Sequence, residues 1–359
     1  MSTAAETLAK AASLLELVSE TPRLDAEYLL AHAMGCTRSA LLRRLHEELP
    51  QNKAFEDYFA RRLNREPVAY ILGEWEFYSL ELAVPRPLLV PRPETEHLVE
   101  VALKHLQPGA HILDLCCGTG CVGIAILANA PKAFVASEPT SPLVPLRRGI
   151  KGDVGIDCKS KHDTDDMPVN VEYGPDPSAF PRGTVGTSET DQTPGSRLRT
   201  PDSSSSSPLI PQNSYLTSSD ILPLAIATTE ANAARHHLPV TTRLGNLFHA
   251  LQPGDGPFHI IVSNPPYVEA AAWEGLAPDI TRYEDRNALI AGEDGLDIIR
   301  RIIAQAPAHL HPGGLLALEM GEAHWPAVLA LFQTAGYTDI GVKKDLAGID
   351  RIAHAVWPD

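Results

Sequence analysis

The fold class that the amino-acid sequence predicts is α/β: a doubly wound sheet with an antiparallel closing hairpin, preceded by a small helical domain. Three observations predict it. Short apolar runs, His111–Leu115 and Phe258–Ser263 among them, alternate with segments of helical spacing. Several of the runs end in glycine- or proline-rich turns, which a strand cannot continue through. The last two strand-like stretches, near 337–343 and 351–356, follow one another with no helix between them, as a hairpin does.

Composition narrows the function. The chain has 359 residues, enough for two domains and a sizeable core. It carries 45 acidic and 30 basic side chains, formally −15. A dedicated nucleic-acid binder relies on Lys and Arg to neutralise phosphates, so no direct nucleic-acid partner is expected. Five unevenly spaced cysteines (Cys36, Cys116, Cys117, Cys121 and Cys158) do not make a disulfide framework, and a reducing cytoplasm suits them. The N-terminus shows neither a basic, apolar signal pattern nor early arginines, and no run is long enough to span a membrane.

Residues 1–73 read as the helical domain. Leu8, Ala12 and Leu15 follow helical spacing, Pro22 opens a second helix, and Gly35 ends it. Thr37 caps a third, Pro50 stops it, and a fourth spans about 53–64. This domain either caps the rest of the chain or docks a macromolecular substrate. Residues 74–90 are a linker that starts as a hairpin, with alternating aromatics over 74–84. From Pro85 to Pro93 four prolines make the chain stiff and extended, and Glu94, Thr95 and Glu96 then open a helix. Arg92 and Glu94, held on that stiff segment, are candidates for one wall of a site.

The domain over 91–359 holds two motifs. The first is the strand His111–Leu115 followed by Cys116-Cys117-Gly118-Thr119-Gly120 and a helix over 124–129. A strand, a glycine turn and a helix N-terminus cradle nucleotide-like ligands, because glycine lets the backbone come close. Gly118, Gly120 and Gly123 match the dinucleotide pattern, so a dehydrogenase is one reading. Asp114, four residues before the first glycine, favours S-adenosylmethionine, whose amino-acid end is cationic. The three nearby cysteines have no second pair at metal spacing and read as small buried residues, so no metal is expected.

A second strand is expected at 133–137, and then the composition changes. Residues 138–219 are rich in Pro, Ser, Asp and Gly, with Ser203 to Ser207 unbroken, and read as a low-complexity, disordered insertion. Splicing across it joins 137 to Asp220 and a helix over 224–237. That gives two candidate acids at the end of the strand, Glu138 and Asp220. Asp220 is preferred, because a helix-compatible stretch follows it. The third strand is expected at 240–244, a loop facing the substrate at 268–294, a helix at 295–310 and a strand at 315–319.

The second motif is Asn264-Pro265-Pro266-Tyr267, immediately after Phe258–Ser263. The prolines force the chain out of the sheet at Asn264, at the carboxyl end of a central strand, where ligands bind in open α/β sheets. The Asn oxygen and a carbonyl freed by the prolines suit the two N–H bonds of an NH2 group, and the Tyr ring suits its flat face.

Together with Gly73-Glu74-Trp75-Glu76-Phe77-Tyr78, Pro91-Arg92-Pro93-Glu94-Thr95-Glu96 and the Pro312-Gly313-Gly314 turn, these motifs resemble the release-factor glutamine methyltransferases, the PrmC/HemK family. The resemblance covers nearly all of the chain except 138–219. It implies a class I methyltransferase sheet, Rossmann-like, and a cytoplasmic, monomeric enzyme of translation termination. The implied reaction moves a methyl group from S-adenosylmethionine to the side-chain amide nitrogen of Gln in the Gly-Gly-Gln motif of peptide-chain release factors. Residues 1–73 would engage that protein. Asp114, Cys116, Cys117, Gly118, Thr119 and Gly120 would hold the methionine end of the cofactor, Asp220 the ribose, and Asn246 and Leu247 the adenine. Asn264, Pro265, Pro266 and Tyr267 would be catalytic, Asn264 also touching the cofactor, and with Arg92 and Glu94 they would bind the substrate. The family has Asp where Asn246 stands and a pair such as Gly-Thr where Cys116 and Cys117 stand. Rival readings are a ribosomal-protein glutamine methyltransferase, a nucleic-acid amino methyltransferase acting on adenine or guanine, and a cofactor-binding protein inactivated by its insertion.

Overall fold

The computed structural model describes residues 2–131 and 214–359. The chain opens with β1 (Ser2–Thr3) and α1 (Ala4–Leu15), then α2 (Pro22–Ala33), α3 (Arg38–Leu42), β2 (Glu48–Leu49), α4 (Lys53–Leu63) and α5 (Val68–Leu72). Thr3 and Glu6 cap α1 reciprocally, each side chain bonding the other's backbone N–H. Leu8, Leu15, Leu29, Leu30 and Leu41 close over a core belonging to these helices. Asp25 and Arg62, both buried, pair across it at 2.7 Å, and Ser19 and Thr21 also bond the carboxylate. That satisfies a charge which would be costly alone. The sequence reading found the main helices and missed the short α5, whose Ala69 and Tyr70 pack onto Val84 and Val90.

β3 (Glu74–Phe77) and β4 (Leu80–Ala83) form the expected hairpin, with Tyr78 and Ser79 at positive φ in its tight turn. Then come α6 (Glu96–His105), β5 (His111–Leu115), α7 (Cys121–Asn129), β6 (Tyr215–Asp220), α8 (Pro223–Arg235), β7 (Thr241–Leu244) and β8 (Phe258–Ser263). The chain finishes with α9 (Pro278–Tyr283), α10 (Asp297–Gln305), β9 (Leu310–Glu319), α11 (Trp325–Ala335), β10 (Thr338–Lys344) and β11 (Asp350–Val356).

Seven strands make one sheet in the order β10-β11-β9-β8-β5-β6-β7. The five strands β5 to β9 are parallel, and β11 and β10 pair antiparallel at one edge. This is the doubly wound class I arrangement, with its closing hairpin. Alternate residues of each strand face opposite layers. Ile112, Ile260 and Val262 meet α6 and α7, while Leu113, Leu115 and Ile261 meet α10 and α11. From β5 the chain winds one way to β6 and β7, then returns to β8 on the other side and on to β9. The crevice between the carboxyl ends of β5 and β8 is therefore the topological switch point.

One expectation needs correction. The strand expected at 133–137 lies outside the described residues, as does Glu138. The strand that pairs with β5 on the side away from β8 is β6, so residues 215–219, assigned to the insertion, belong to the sheet. Its sequence Tyr-Leu-Thr-Ser-Ser-Asp has one aliphatic side chain, and the small Ser218 and Ser219 are buried. α7 comes close to this strand at Leu216: a Cβ on Gly123 would lie 2.7 Å from it. β9 also starts earlier than expected, with Pro312-Gly313-Gly314 inside it at a register shift against β8. No helix among the described residues is long and apolar enough to cross a membrane.

Candidate active site

At the end of β5 the chain leaves the sheet through Cys116 to Gly120 and enters α7. Cys116, Gly118 and Gly120 have φ of 58°, 55° and 77°, so the turn is built from left-handed residues. Its backbone is tied to neighbouring segments. The Gly118 N–H donates to Asp220 at 3.0 Å, and the Leu222 N–H donates to the other oxygen of the same carboxylate at 2.9 Å. Asp114, 1 % exposed, accepts the Gly123 N–H at 2.9 Å. The Asn232 side chain donates to the Thr119 carbonyl at 2.9 Å and also bonds Ala83 in both directions, joining turn, α8 and hairpin. Sequence reasoning missed Asn232, which reads as one polar residue in an Ala-rich helix.

Burial pushes the Asp114 carboxyl up to about 7, against the pull of the Gly123 N–H. Burial also raises Asp220. Two acids that resist ionisation beside a partly buried turn suit a cationic ligand, whose charge would favour their ionised forms. A Cβ on Gly118 would meet nothing within 4 Å, so one face of the turn is open. These features fit S-adenosylmethionine: acids for its cationic amino-acid end and ribose hydroxyls, and bare backbone for close approach. The thiols of Cys116 and Cys121 are pushed up to about 12 by burial, and that of Cys117 is also raised, so all three stay protonated near neutral pH. Asn246 follows β7 and is exposed, its side-chain oxygen accepting from Arg301 at 3.1 Å, while Leu247 is buried beside it.

One strand away, β8 ends in Ser263, whose hydroxyl donates to the Leu115 carbonyl at 2.8 Å and ties the two strand ends together. Asn264, Pro265, Pro266 and Tyr267 then line a cavity of about 150 Å³ with Arg92 and Leu89. Leu276, Ile280 and Leu289, from the loop expected to face the substrate, supply an apolar wall. The Asn264 side-chain nitrogen donates to the Thr95 hydroxyl at 3.2 Å, which leaves the carboxamide oxygen as the acceptor. Arg92 pairs at 2.6 Å with Glu284, whose side chain is buried and whose carboxyl is raised by that burial. Glu94 does not line the cavity. Its charge reaches Glu319 instead, adding to the burial that raises that carboxyl.

Glu319, the last residue of β9, is the second residue that sequence reasoning missed. It is 1 % exposed and accepts the Tyr267 hydroxyl at 3.0 Å. The register pairs Ser263 with Leu318, which sets Glu319 opposite Asn264. An acid closing the apolar run Leu315-Leu316-Ala317-Leu318 was the available signal.

A family profile described as the PrmC N-terminal domain matches residues 6–73. The chain is 34% identical over 344 residues to the release factor glutamine methyltransferase of Pseudomonas aeruginosa, covering 94% of each. It is 32% identical over 335 residues to that of Geobacter sulfurreducens, covering 93% of this chain and 89% of the relative. A third relative of the same name, from Cereibacter sphaeroides, is 32% identical over 93% of this chain and 91% of its own length. With relatives this similar over nearly their full length, the chain belongs to the release factor glutamine methyltransferase family.

Proposed function

We propose that the protein transfers a methyl group from S-adenosylmethionine to the side-chain amide nitrogen of the glutamine in a release factor's Gly-Gly-Gln motif. The observation that carries this reading is the orientation of Asn264. Its nitrogen is taken by Thr95 and its oxygen is left to accept, at the mouth of a small cavity one strand from the glycine turn. Asp114, the Cys116 to Gly120 turn and Asp220 hold the cofactor. When bound, it supplies an electrophilic methyl group on a sulfonium.

A primary amide is a poor nucleophile because its nitrogen lone pair is delocalised into the carbonyl. The Asn264 oxygen and the Pro265 carbonyl accept its two N–H bonds, which fixes the plane of the amide and turns the lone pair toward the β5 side. Tyr267 covers the face of the amide, and the prolines keep these groups rigid. The apolar wall keeps water from competing for the N–H bonds. No side-chain base is required, since the nitrogen becomes strongly acidic once it carries the new bond. Residues 2–72, with their own core, engage the body of the release factor.

The test is transfer of radiolabelled methyl from S-adenosylmethionine into a whole release factor and into a variant whose Gly-Gly-Gln glutamine is replaced by Ala. Label in the first and none in the second is expected. Label in ribosomal protein or RNA, and none in the release factor, would refute the assignment.

A further inference from the structure

Glu319 places a carboxylate in the interior, directly behind the amide pocket. One oxygen takes the Tyr267 hydroxyl, while the other meets no hydrogen-bond partner within the distance and angle of a formed bond among the described residues. A buried carboxylate left half satisfied is costly, so its place in the fold needs a reason. Thr95 supplies one. Its hydroxyl oxygen already accepts the Asn264 N–H, so its own proton has to go to another acceptor. The Thr95 hydroxyl lies close enough to the Glu319 carboxylate to favour its charged form, although no formed bond joins them, so the unpartnered oxygen is the acceptor it is offered. Thr95 is 1 % exposed, which leaves water little access to the hydroxyl.

We infer that Glu319 is a positioning residue for methyl transfer, acting through Thr95 on Asn264 and directly on Tyr267. With a carboxylate behind it, the Thr95 hydroxyl must point its proton inward and its lone pair at Asn264. Asn264 can then donate only its nitrogen to Thr95, so its oxygen faces the pocket. A carboxamide flipped by 180° would turn its NH2 toward the substrate NH2, donor against donor. The same carboxylate anchors the Tyr267 hydroxyl and so fixes the ring that covers the amide. One buried group thus orients both side chains that read the substrate, from the far side of the pocket and without touching it. The three segments meet only in the fold: Thr95 before α6, Asn264 and Tyr267 after β8, and Glu319 at the end of β9.

This inference rests on the amide-methylation reading, and the experiment separates the two. Wild type, Glu319→Gln, Thr95→Val and Thr95→Ser are compared in kcat and KM for the release factor, in cofactor Kd by calorimetry, and in Tm. Absence of transfer by the wild type would overturn the functional reading itself. Given wild-type turnover, Glu319→Gln and Thr95→Val should each lower kcat by about 10-fold or more, the scale of one charge-assisted hydrogen bond, with cofactor Kd within about 2-fold. Thr95→Ser, which keeps the hydroxyl, should restore most of kcat. The double variant Glu319→Gln/Thr95→Val should fall little below either single one, because both break the same chain of bonds. Unchanged kcat in Thr95→Val would overturn the inference, as would fully additive losses or losses confined to Tm and Kd. If Glu319→Gln fails to fold, the Thr95 pair still decides: loss with Val and recovery with Ser supports the inference, and equal activity of the two overturns it.

Discussion

At the carboxyl end of β5 the chain offers its ligand mostly backbone, whereas at the end of β8, one strand over, it offers side chains. The first surface is a turn of left-handed residues held by Asp114, Asp220 and Asn232 from below. The second is a carboxamide, a phenol and an ion pair drawn from segments as distant as Arg92 and Glu284. A backbone site depends on φ and ψ and tolerates changes in the side chains it carries. A side-chain site depends on rotamers, each of which needs a partner behind it. Substitution should therefore act differently in the two halves: on chemistry at β8, and on affinity or stability at β5.

The largest effect is expected at the side-chain half. Asn264→Ala should lower kcat by about 10²- to 10³-fold, the range for removing one preorganised group that contacts the reacting centre. Cofactor Kd should stay within a few-fold. Asn264→Asp should also be poor, because it places a charge there and removes the donor that Thr95 accepts. Near wild-type turnover by the Ala variant would erase the distinction between the two halves. At the backbone half, Asp220→Ala should weaken cofactor binding by about 1–3 kcal/mol with a much smaller effect on kcat at saturation. Calorimetry with S-adenosylmethionine decides this, and an unchanged Kd would free Asp220 from the ribose role.

How much of this could be read from the residues also divides along the same line. The Gly-rich turn and the Asn-Pro-Pro-Tyr set are contiguous, so the sequence displayed them whole, and the pocket does bring Arg92, Asn264 and Tyr267 together. Glu319, Thr95 and Asn232 take their parts only through pairing across the fold. Register sets Glu319 beside Asn264, and α8 packing sets Asn232 under the turn. β6 was misread for a related reason. Sheet strands are usually recognised by β-branched or aromatic residues, and this one carries Ser218 and Ser219 where it pairs with Asp114 and Leu115.

A pH dependence sharpens the contrast further. Asp114 holds its proton up to about 7 in the fold, against 3.8 for an ordinary aspartate carboxyl, because burial penalises the charge. The native state therefore binds a proton that the unfolded chain has released. Asp114 should make the cofactor-free protein lose stability as pH rises from about 4 to about 7. A cationic ligand favours the ionised form, so cofactor binding should tighten as pH rises from 6 to 8. Asp114→Asn, which can still accept the Gly123 N–H, should flatten both slopes. Identical slopes in denaturant midpoint and Kd for the two proteins would remove Asp114 from the cofactor's electrostatics.

The smallest effect is the sharpest test of a backbone-built turn. Cys116 has φ of 58°, a region that costs an L-residue about 1–2 kcal/mol and glycine almost nothing. Glycine there adds freedom to the unfolded chain, which opposes the gain by about 0.4–1 kcal/mol. It also removes a half-buried thiol whose loss subtracts a little more. Cys116→Gly should therefore leave stability within about 1 kcal/mol of wild type, on the favourable side, and leave cofactor Kd unchanged. Cys116→Val adds β-branching at the same positive φ and should destabilise by more than the native strain, since such residues are the least tolerant of that region. Denaturation midpoints for the three proteins should rank Gly at or above Cys, and Cys above Val. A marked loss with Gly would mean that the thiol, rather than the path of the chain, holds the turn.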